Sequence, residues 1–223
     1  MIAGIAPCVV CAPTGFPTNN RIRVGMSGPV GPDLAALLGL ELAGFATTPV
    51  FGVLDQASAA QALASRAADA VLLRGAALAA NLAPLAQIGI TPLFTLGAVA
   101  GAQGEQGRDP LLPDIPSLPE FAAARGQTIP PPLLAAWRGT AAAAQTEYAL
   151  VLPQLTPAAL VALWRQAGTN AAQAAELHDE TGRTRSVGTP AAQALTQALA
   201  PDVAGITALR TWLATRLNWR PPS

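Results

Sequence analysis

The alternation of short apolar runs with helical runs between Arg21 and Leu96 is the feature that most constrains the fold. The short runs are largely apolar and bounded by turn residues, a pattern typical of strands that are buried on both faces. The longer runs repeat apolar residues at helical spacing. Strands are predicted at 21–26, 48–53, 70–73 and 91–96, and helices at 32–42, 57–66 and 76–87. This alternation predicts an α/β fold with a mostly parallel sheet that helices cover on both faces.

The sequence changes in texture on both sides of this stretch. Residues 2–12 are apolar and lack the basic leading region of an export signal, so we interpret them as a strand. Residues 97–117 are rich in Gly and Pro, which predicts an irregular crossover between two lobes. Later residues are mainly helical, with helices predicted at 131–144, 157–166, 190–200 and 203–218, a strand at 148–152 and an extended piece at 183–188.

These patterns predict three parts of the chain. We expect a crossover strand at 1–14, a ligand-binding lobe at 15–117 and a helical remainder of the other lobe at 118–223.

The charge balance excludes some classes of protein. The 13 basic residues are all Arg, and 13 acidic residues balance them, so the sequence lacks the basic surface that nucleic acid or an anionic membrane requires. The absence of Lys excludes Schiff-base and P-loop lysine chemistry. No run of 18 uncharged apolar residues occurs, so we expect no membrane insertion.

Two features look like metal or redox motifs and are interpreted otherwise. Cys8 and Cys11 form C-x-x-C, but on a strand their side chains point to opposite faces, so we favour two structural core thiols over a redox or metal pair. His178 is the single histidine, which argues against a His-based zinc site. We therefore expect no metal and no cofactor.

The segment Arg108–Glu120 carries a resemblance to a known family. It reads R-D-P-L-L-P-D-I-P-S-L-P-E. It is similar to the hinge signature of Bug-type receptors of tripartite tricarboxylate transporters, in which an Arg precedes L-P-D-x-P-[ST] and a Glu follows. Weaker similarity covers the blocks Gly25–Leu38, Pro49–Val53 and Tyr148–Arg165, and so runs along nearly the whole chain.

The resemblance implies a fold and a function. The fold would be periplasmic-binding-protein-like (type II), with one complete lobe and a partial, mainly helical second lobe, because the opening βαβ units of the family's first lobe have no counterpart here. The function would be solute binding, with a small carboxylate as ligand and membrane transporter subunits as partners. The location would be periplasmic, although the sequence shows no export signal, and the alternative is cytoplasmic.

The bend that follows the strand at 21–26 is the predicted ligand site. A strand there leads into a loop with Ser27, Gly28, Val30 and Gly31, and a helix follows. Main-chain N–H groups and the positive helix end converge at such a bend, which favours binding of a carboxylate without a cationic side chain. The alternative is a tight turn in which Ser27 and Asp33 satisfy the helix end themselves.

Loops at the same ends of the other strands complete the predicted site, because ligands of open α/β sheets gather outside the carboxyl ends of the strands. These residues are Gly52, Val53, Leu73, Arg74, Gly75 and Thr95. Arg74 is the one cation among them and is suited to a bidentate grip on a carboxylate. Its alternatives are an ion pair with Asp69 or a solvated surface position.

Two further functions remain open. Gly25-Met26-Ser27-Gly28-Pro29 is close to the G-x-S-x-G elbow of serine hydrolases, with His178 as the only candidate base, but the last Gly is Pro. We therefore expect no enzyme and keep an esterase-like hydrolase as a minor alternative. The other alternative is a lobe that acts through protein contacts and buries its open face against a partner or in a homodimer.

Overall fold

A five-stranded and a three-stranded β-sheet, with a separate two-stranded hairpin, organise the described part of the chain, and helices pack on both faces of the five-stranded sheet. The computed structural model describes residues 2–15, 21–75, 78–100, 105–173, 185–187 and 189–220. Its strands are β1 Ile2–Ile5, β2 Cys8–Pro13, β3 Ile22–Met26, β4 Thr47–Phe51, β5 Ala70–Arg74, β6 Ile90–Thr95, β7 Ala98–Ala100, β8 Glu105–Gly107, β9 Thr146–Leu150 and β10 Arg185–Val187. Its helices are α1 Leu34–Leu42, α2 Gln56–Ala64, α3 Leu78–Gln87, α4 Leu118–Ala124, α5 Pro131–Gln145, α6 Ala158–Gln173, α7 Thr189–Leu199 and α8 Val203–Leu217.

The larger sheet has five strands in the order β4-β3-β5-β2-β6. Strand β3 runs parallel to β4 and β5, and β2 runs antiparallel to both β5 and β6. Val10 of β2, for example, lies opposite Leu72 on one side and Phe94 on the other. The α/β fold class and the mostly parallel sheet are confirmed, with one reversed strand inserted between β5 and β6.

Two apolar clusters cover the two faces of this sheet. One contains Leu38 of α1, Trp137 of α5 and Leu213 of α8, together with Leu118 of α4. The other contains Leu63 of α2 and residues of α3. Helices α4, α5 and α8 belong to the segment 118–223. Part of that segment therefore packs against the larger sheet.

The cysteines of β2 face opposite sides of the sheet, as predicted. Cys8 belongs to the cluster with Trp137, and Cys11 belongs to the cluster with Leu63. Both thiols are buried and free. Burial raises the pKa of Cys8 far above its ordinary value and that of Cys11 to about 12, because a thiolate loses its hydration there. Both cysteines are therefore core residues and poor nucleophiles.

The smaller sheet has three strands in the order β10-β1-β9, and β1 is antiparallel to both neighbours. The chain passes from β1 in this sheet to β2 in the larger sheet at Ala6 and Pro7. The single strand predicted at 2–12 is therefore two strands in two sheets. A second passage lies beside the first, where α5 leads into β9 and the Ala6 amide donates to the Gln145 carbonyl at 3.0 Å.

The hinge signature is ordered by two side chains. Arg108 pairs with Glu120 at 2.9 Å and donates to the Pro113 carbonyl, while the Ser117 amide and hydroxyl donate to Glu120. Ser117 and Glu120 form a capping box that starts α4, a helix the sequence analysis did not predict. Residues 97–117 are also not wholly irregular, because β7 and β8 pair as an antiparallel hairpin.

Among the described helices, none combines the length and the apolar character needed to cross a bilayer.

Candidate functional site

A cavity of about 750 Å³ lies where β3, β4 and β5 end and β9 begins. The larger sheet contributes Ser27, Asp33, Val53, Asp55, Arg74 and Gly75 to its lining, and β9 contributes Thr146 and Glu147. Because carboxyl ends of parallel strands meet at one edge of a sheet, the loops after β3, β4 and β5 converge here. The cavity therefore lies between the two sheets, at the edge where the sequence predicted a ligand.

The bend after β3 is largely satisfied by its own side chains. The Ser27 amide and hydroxyl donate to Asp33 Oδ2 at 2.9 and 2.6 Å, and the Leu34 amide donates to the Gly31 carbonyl at 3.1 Å. A Cβ atom on Gly31 would lie 2.5 Å from the Ser27 hydroxyl oxygen, so the bend closes tightly here. The Asp33 carboxylate thus already accepts from donors that were predicted to bind the ligand, as the alternative interpretation of this bend expects.

The main-chain amides at the ends of β4 and β5 also have partners. The amides of Gly52 and Val53 both donate to the Met26 carbonyl, at 3.0 and 3.1 Å, which ties the end of β4 to β3. The Gly75 amide donates to the Pro7 carbonyl at 3.1 Å. These amides hold the cavity wall in place and are committed to the fold.

The predicted site residues divide into two groups. Ser27, Val53, Arg74 and Gly75 line the cavity. The other predicted residues lie outside its lining. Val30 and Gly52 are exposed on the loops, Gly28 and Gly31 are partly exposed, and Leu73 and Thr95 are buried.

Thr95 lies away from the cavity for a topological reason. The reversed strand β2 separates β6 from β5, so the end of β6 is displaced by two strand spacings, about 10 Å. The amide and hydroxyl of Thr95 both donate to the Pro116 carbonyl. Thr95 therefore anchors the hinge signature to the sheet.

Arg74 is the only cationic side chain in the described lining of the cavity. Its Nη1 atom lies 3.4 Å from the carbonyl oxygen of Ala144, in the last turn of α5. Asp69 pairs with Arg23 at 2.8 Å, so the expected alternative of an Arg74–Asp69 ion pair is wrong. The hydrogen bonds from Arg23 lower the pKa of Asp69 below its ordinary value.

Two acidic residues of the lining were missed in the sequence analysis. Asp55 caps α2 and accepts hydrogen bonds from the Ser58 amide and hydroxyl, each 2.8 Å long, which lower the pKa of its carboxyl. An Asp three residues before a Ser at a helix start is the local signal that would have located this cap. Glu147 has no such signal, because only the placement of one sheet against the other brings β9 to the cavity.

The described residues offer little to a catalytic interpretation. The Ser27 hydroxyl donates to a carboxylate, Asp33, and the candidate base His178 lies outside the described residues. Over the described ranges, no three His, Cys, Asp or Glu side chains are grouped so as to hold a metal ion. The described lining of the cavity offers one guanidinium and three carboxylates as charged groups.

Comparisons with known proteins identify the fold. No protein-family model matches the sequence, and no curated protein matches it. A TctC solute-binding protein from Polaromonas, solved without ligand, matches with a TM-score of 0.60 and 14% identity over 97% of this chain and 67% of its own. The structure of a periplasmic transporter has a TM-score of 0.49 and 16% identity, over 95% of this chain and 67% of its own. MatC from Rhodopseudomonas palustris with bound malate has a TM-score of 0.36 and 18% identity, over 64% and 52%. The chain has the fold of type II periplasmic binding proteins, in agreement with the resemblance to Bug-type receptors.

Proposed function

We propose that the chain is a solute-binding protein, not an enzyme, and that it holds a small carboxylate in the cavity between its two sheets. The observation that carries this proposal is the cavity of about 750 Å³ at the carboxyl ends of β3, β4 and β5, with Arg74 in its wall. The fold supports the same class of function. Delivery of the solute to membrane transporter subunits in the periplasm is part of the proposal.

Arg74 is proposed as the main ligand of the carboxylate. A guanidinium presents two parallel N–H donors to the two oxygens of a carboxylate, and this bidentate pairing fixes orientation as well as affinity. Main-chain amides were expected to do this work, but those of Ser27, Gly52, Val53 and Gly75 already donate within the fold. The amides of Gly28, Val30 and Gly31 lie outside the cavity lining, and their role as secondary donors stays a prediction.

Calorimetric titration with mono-, di- and tricarboxylates tests the proposal. We expect at least one acid to bind and to raise the melting temperature, because a ligand of the native state alone stabilises it by mass action. Arg74→Gln should weaken that binding by about tenfold or more, since the charged bidentate pair is lost. Arg210→Gln, which removes an exposed guanidinium on α8 away from the cavity, should leave it unchanged. Equal affinity in the wild type and in Arg74→Gln would contradict the proposed site.

A second candidate function rests on an exposed apolar surface of the smaller sheet and α6. This surface, the α6–β9 face, consists of Leu150, Val151, Leu155, Leu163 and Trp164, which are 43–94% exposed. All of them except Leu163 line a cavity of about 400 Å³. Contiguous exposed apolar side chains are typical of protein contact surfaces. As the second candidate function, we propose that a second copy of the chain packs against this face.

Analytical ultracentrifugation at several protein concentrations tests the second candidate, because it measures self-association of the chain. Under the second one, the wild-type chain associates as its concentration rises, and Leu163→Glu abolishes the association because it places a charge in the middle of the α6–β9 face. Leu199→Glu, at an exposed apolar position outside that face, serves as the control. A chain that stays monomeric at all concentrations contradicts self-association.

A further inference from the structure

The charges around the solute cavity are not those of a site built for a di- or tricarboxylate. Three carboxylates, from Asp33, Asp55 and Glu147, line the cavity with one guanidinium, from Arg74. A ligand with two or three negative charges would place at least one of them close to these carboxylates, and the described lining offers no second cation to compensate. Repulsion between the second carboxylate of such a ligand and the carboxylates of the cavity opposes binding.

The three carboxylates differ in how fully the chain already uses them. Asp33 accepts two hydrogen bonds from Ser27, and Asp55 accepts two from Ser58. The Glu147 carboxylate, by contrast, has no hydrogen bond and no ion pair with another of the described residues. Glu147 is therefore the carboxylate of the cavity that a ligand can engage without displacing a contact with another described residue.

Arg74 and Glu147 line the cavity from different sheets, and both lie close to the junction between α5 and β9. The Arg74 guanidinium donates to the carbonyl oxygen of Ala144. Ala144 lies near the end of α5, and Glu147 follows near the start of β9. Cys8 lies opposite Arg74 in the strand register, and its thiol donates to the same Ala144 carbonyl at 3.7 Å. The cavity thus presents a positive group from β5 and a negative group from β9 across one shared wall.

We infer that the solute is a zwitterion, a small molecule with one carboxylate and one ammonium group, whose carboxylate binds Arg74 and whose ammonium group binds Glu147. This inference rests on the proposed function and narrows its ligand class. An ammonium group carries three donors for a carboxylate, and a single carboxylate satisfies the single guanidinium. The other two carboxylates of the cavity add a negative potential that favours the ammonium end and disfavours a second carboxylate.

Matched pairs of ligands test this inference, because each pair exchanges one carboxylate for an ammonium group on the same carbon chain. The pairs are succinate with β-alanine, glutarate with 4-aminobutyrate, and adipate with 5-aminovalerate. We expect the amino acid of the best-fitting pair to bind wild-type protein about tenfold more tightly than its dicarboxylate, as measured by calorimetry. The preference should shrink as salt is added, since the charges are partly exposed.

Variants assign the preference to its residue. Glu147→Gln keeps the shape of the side chain and removes its charge, so the preference for the amino acid should fall to about threefold or less. Asp114→Asn, which removes an exposed carboxylate outside the cavity, should keep the wild-type preference. The melting temperature of each unliganded variant, compared with wild type, confirms that it folds.

The outcomes separate the inference from the proposed function. Tighter binding of the dicarboxylates by wild-type protein, or an unchanged preference in Glu147→Gln, overturns the zwitterion and leaves solute binding standing. If neither these six compounds nor the carboxylates of the wider titration bind wild-type protein, both fail together.

Discussion

The five-stranded and the three-stranded sheet differ in how completely their residues are covered. Every residue of β5 except Arg74 is buried, and β2 is buried from Cys8 to Ala12. In β9, by contrast, every residue after Thr146 is exposed, and the neighbouring α6 exposes Leu163 and Trp164. The comparison indicates that stability resides in the larger sheet, while the smaller sheet supplies an open surface and one wall of the cavity.

Two tryptophans allow the largest test of this comparison. Trp137 is fully buried beside the larger sheet, and its indole N–H donates to the Ala35 carbonyl at 2.9 Å. Trp137→Ala should lower the free energy of unfolding by about 3–5 kcal/mol, because it leaves a cavity and removes a buried hydrogen bond. Trp164→Ala, at a position that is 43% exposed, should lower it by less than about 1 kcal/mol. Urea denaturation measures both values, and similar losses would contradict the comparison.

Two glutamates give the next largest effect. Glu41 joins α1 to α8, since it accepts hydrogen bonds from Thr47, Trp212 and Arg216. Glu41→Ala should cost about 2–3 kcal/mol, because several half-buried donors lose their acceptor at once. Glu147→Ala, in the smaller sheet, should leave stability within about 0.5 kcal/mol of wild type. The same denaturation experiment checks the pair, and a large loss for Glu147→Ala would mean that β9 bears load in the fold.

The smallest effect concerns the pH dependence of the larger sheet. The folded-state pKa of Asp69 is lowered, chiefly by its hydrogen bond from Arg23, so its contribution is complete above the ordinary pKa of an Asp and is lost as pH falls through the folded value. Asp69→Asn removes this titration, so its melting temperature should fall less than that of wild type between about pH 5 and about pH 2. The difference should be no more than about 3 °C, because the Arg23 side chain is 44% exposed and solvent screens the pair. An equal fall in melting temperature for wild type and Asp69→Asn over this pH range would contradict the prediction.

The sequence predicted the larger sheet well because its strands are buried on both faces and therefore stand out as apolar runs. Runs predicted at 70–73 and 91–96 correspond to β5 and β6 within one residue at each end. The helix predicted at 157–166 continues to Gln173, because nothing in the local sequence stops it at 166. Helix α4 was missed because its capping box lies at the end of the Pro-rich hinge signature, directly after the segment 97–117 that was predicted to be irregular.

The site was harder to predict than the fold. Burial and strand order locate the ends of β3, β4 and β5, which is why Ser27, Val53, Arg74 and Gly75 reach the cavity. Side-chain competition is not visible in a pattern, so the use of the Ser27 amide by Asp33 was one of two open interpretations. Glu147 depends on the packing of one sheet against the other, which no local spacing encodes.

The position of β2 in the larger sheet has a consequence for the order of folding. This strand precedes its two partners in the chain, yet it lies between them, and its ladders with β5 and β6 close only after residues up to Thr95 have left the ribosome. Pairings between residues so distant in sequence form slowly. Until β5 and β6 have been made, the apolar strand β2 has neither of its partners, and an unpaired apolar strand of this kind favours aggregation of the nascent chain or its binding by chaperones.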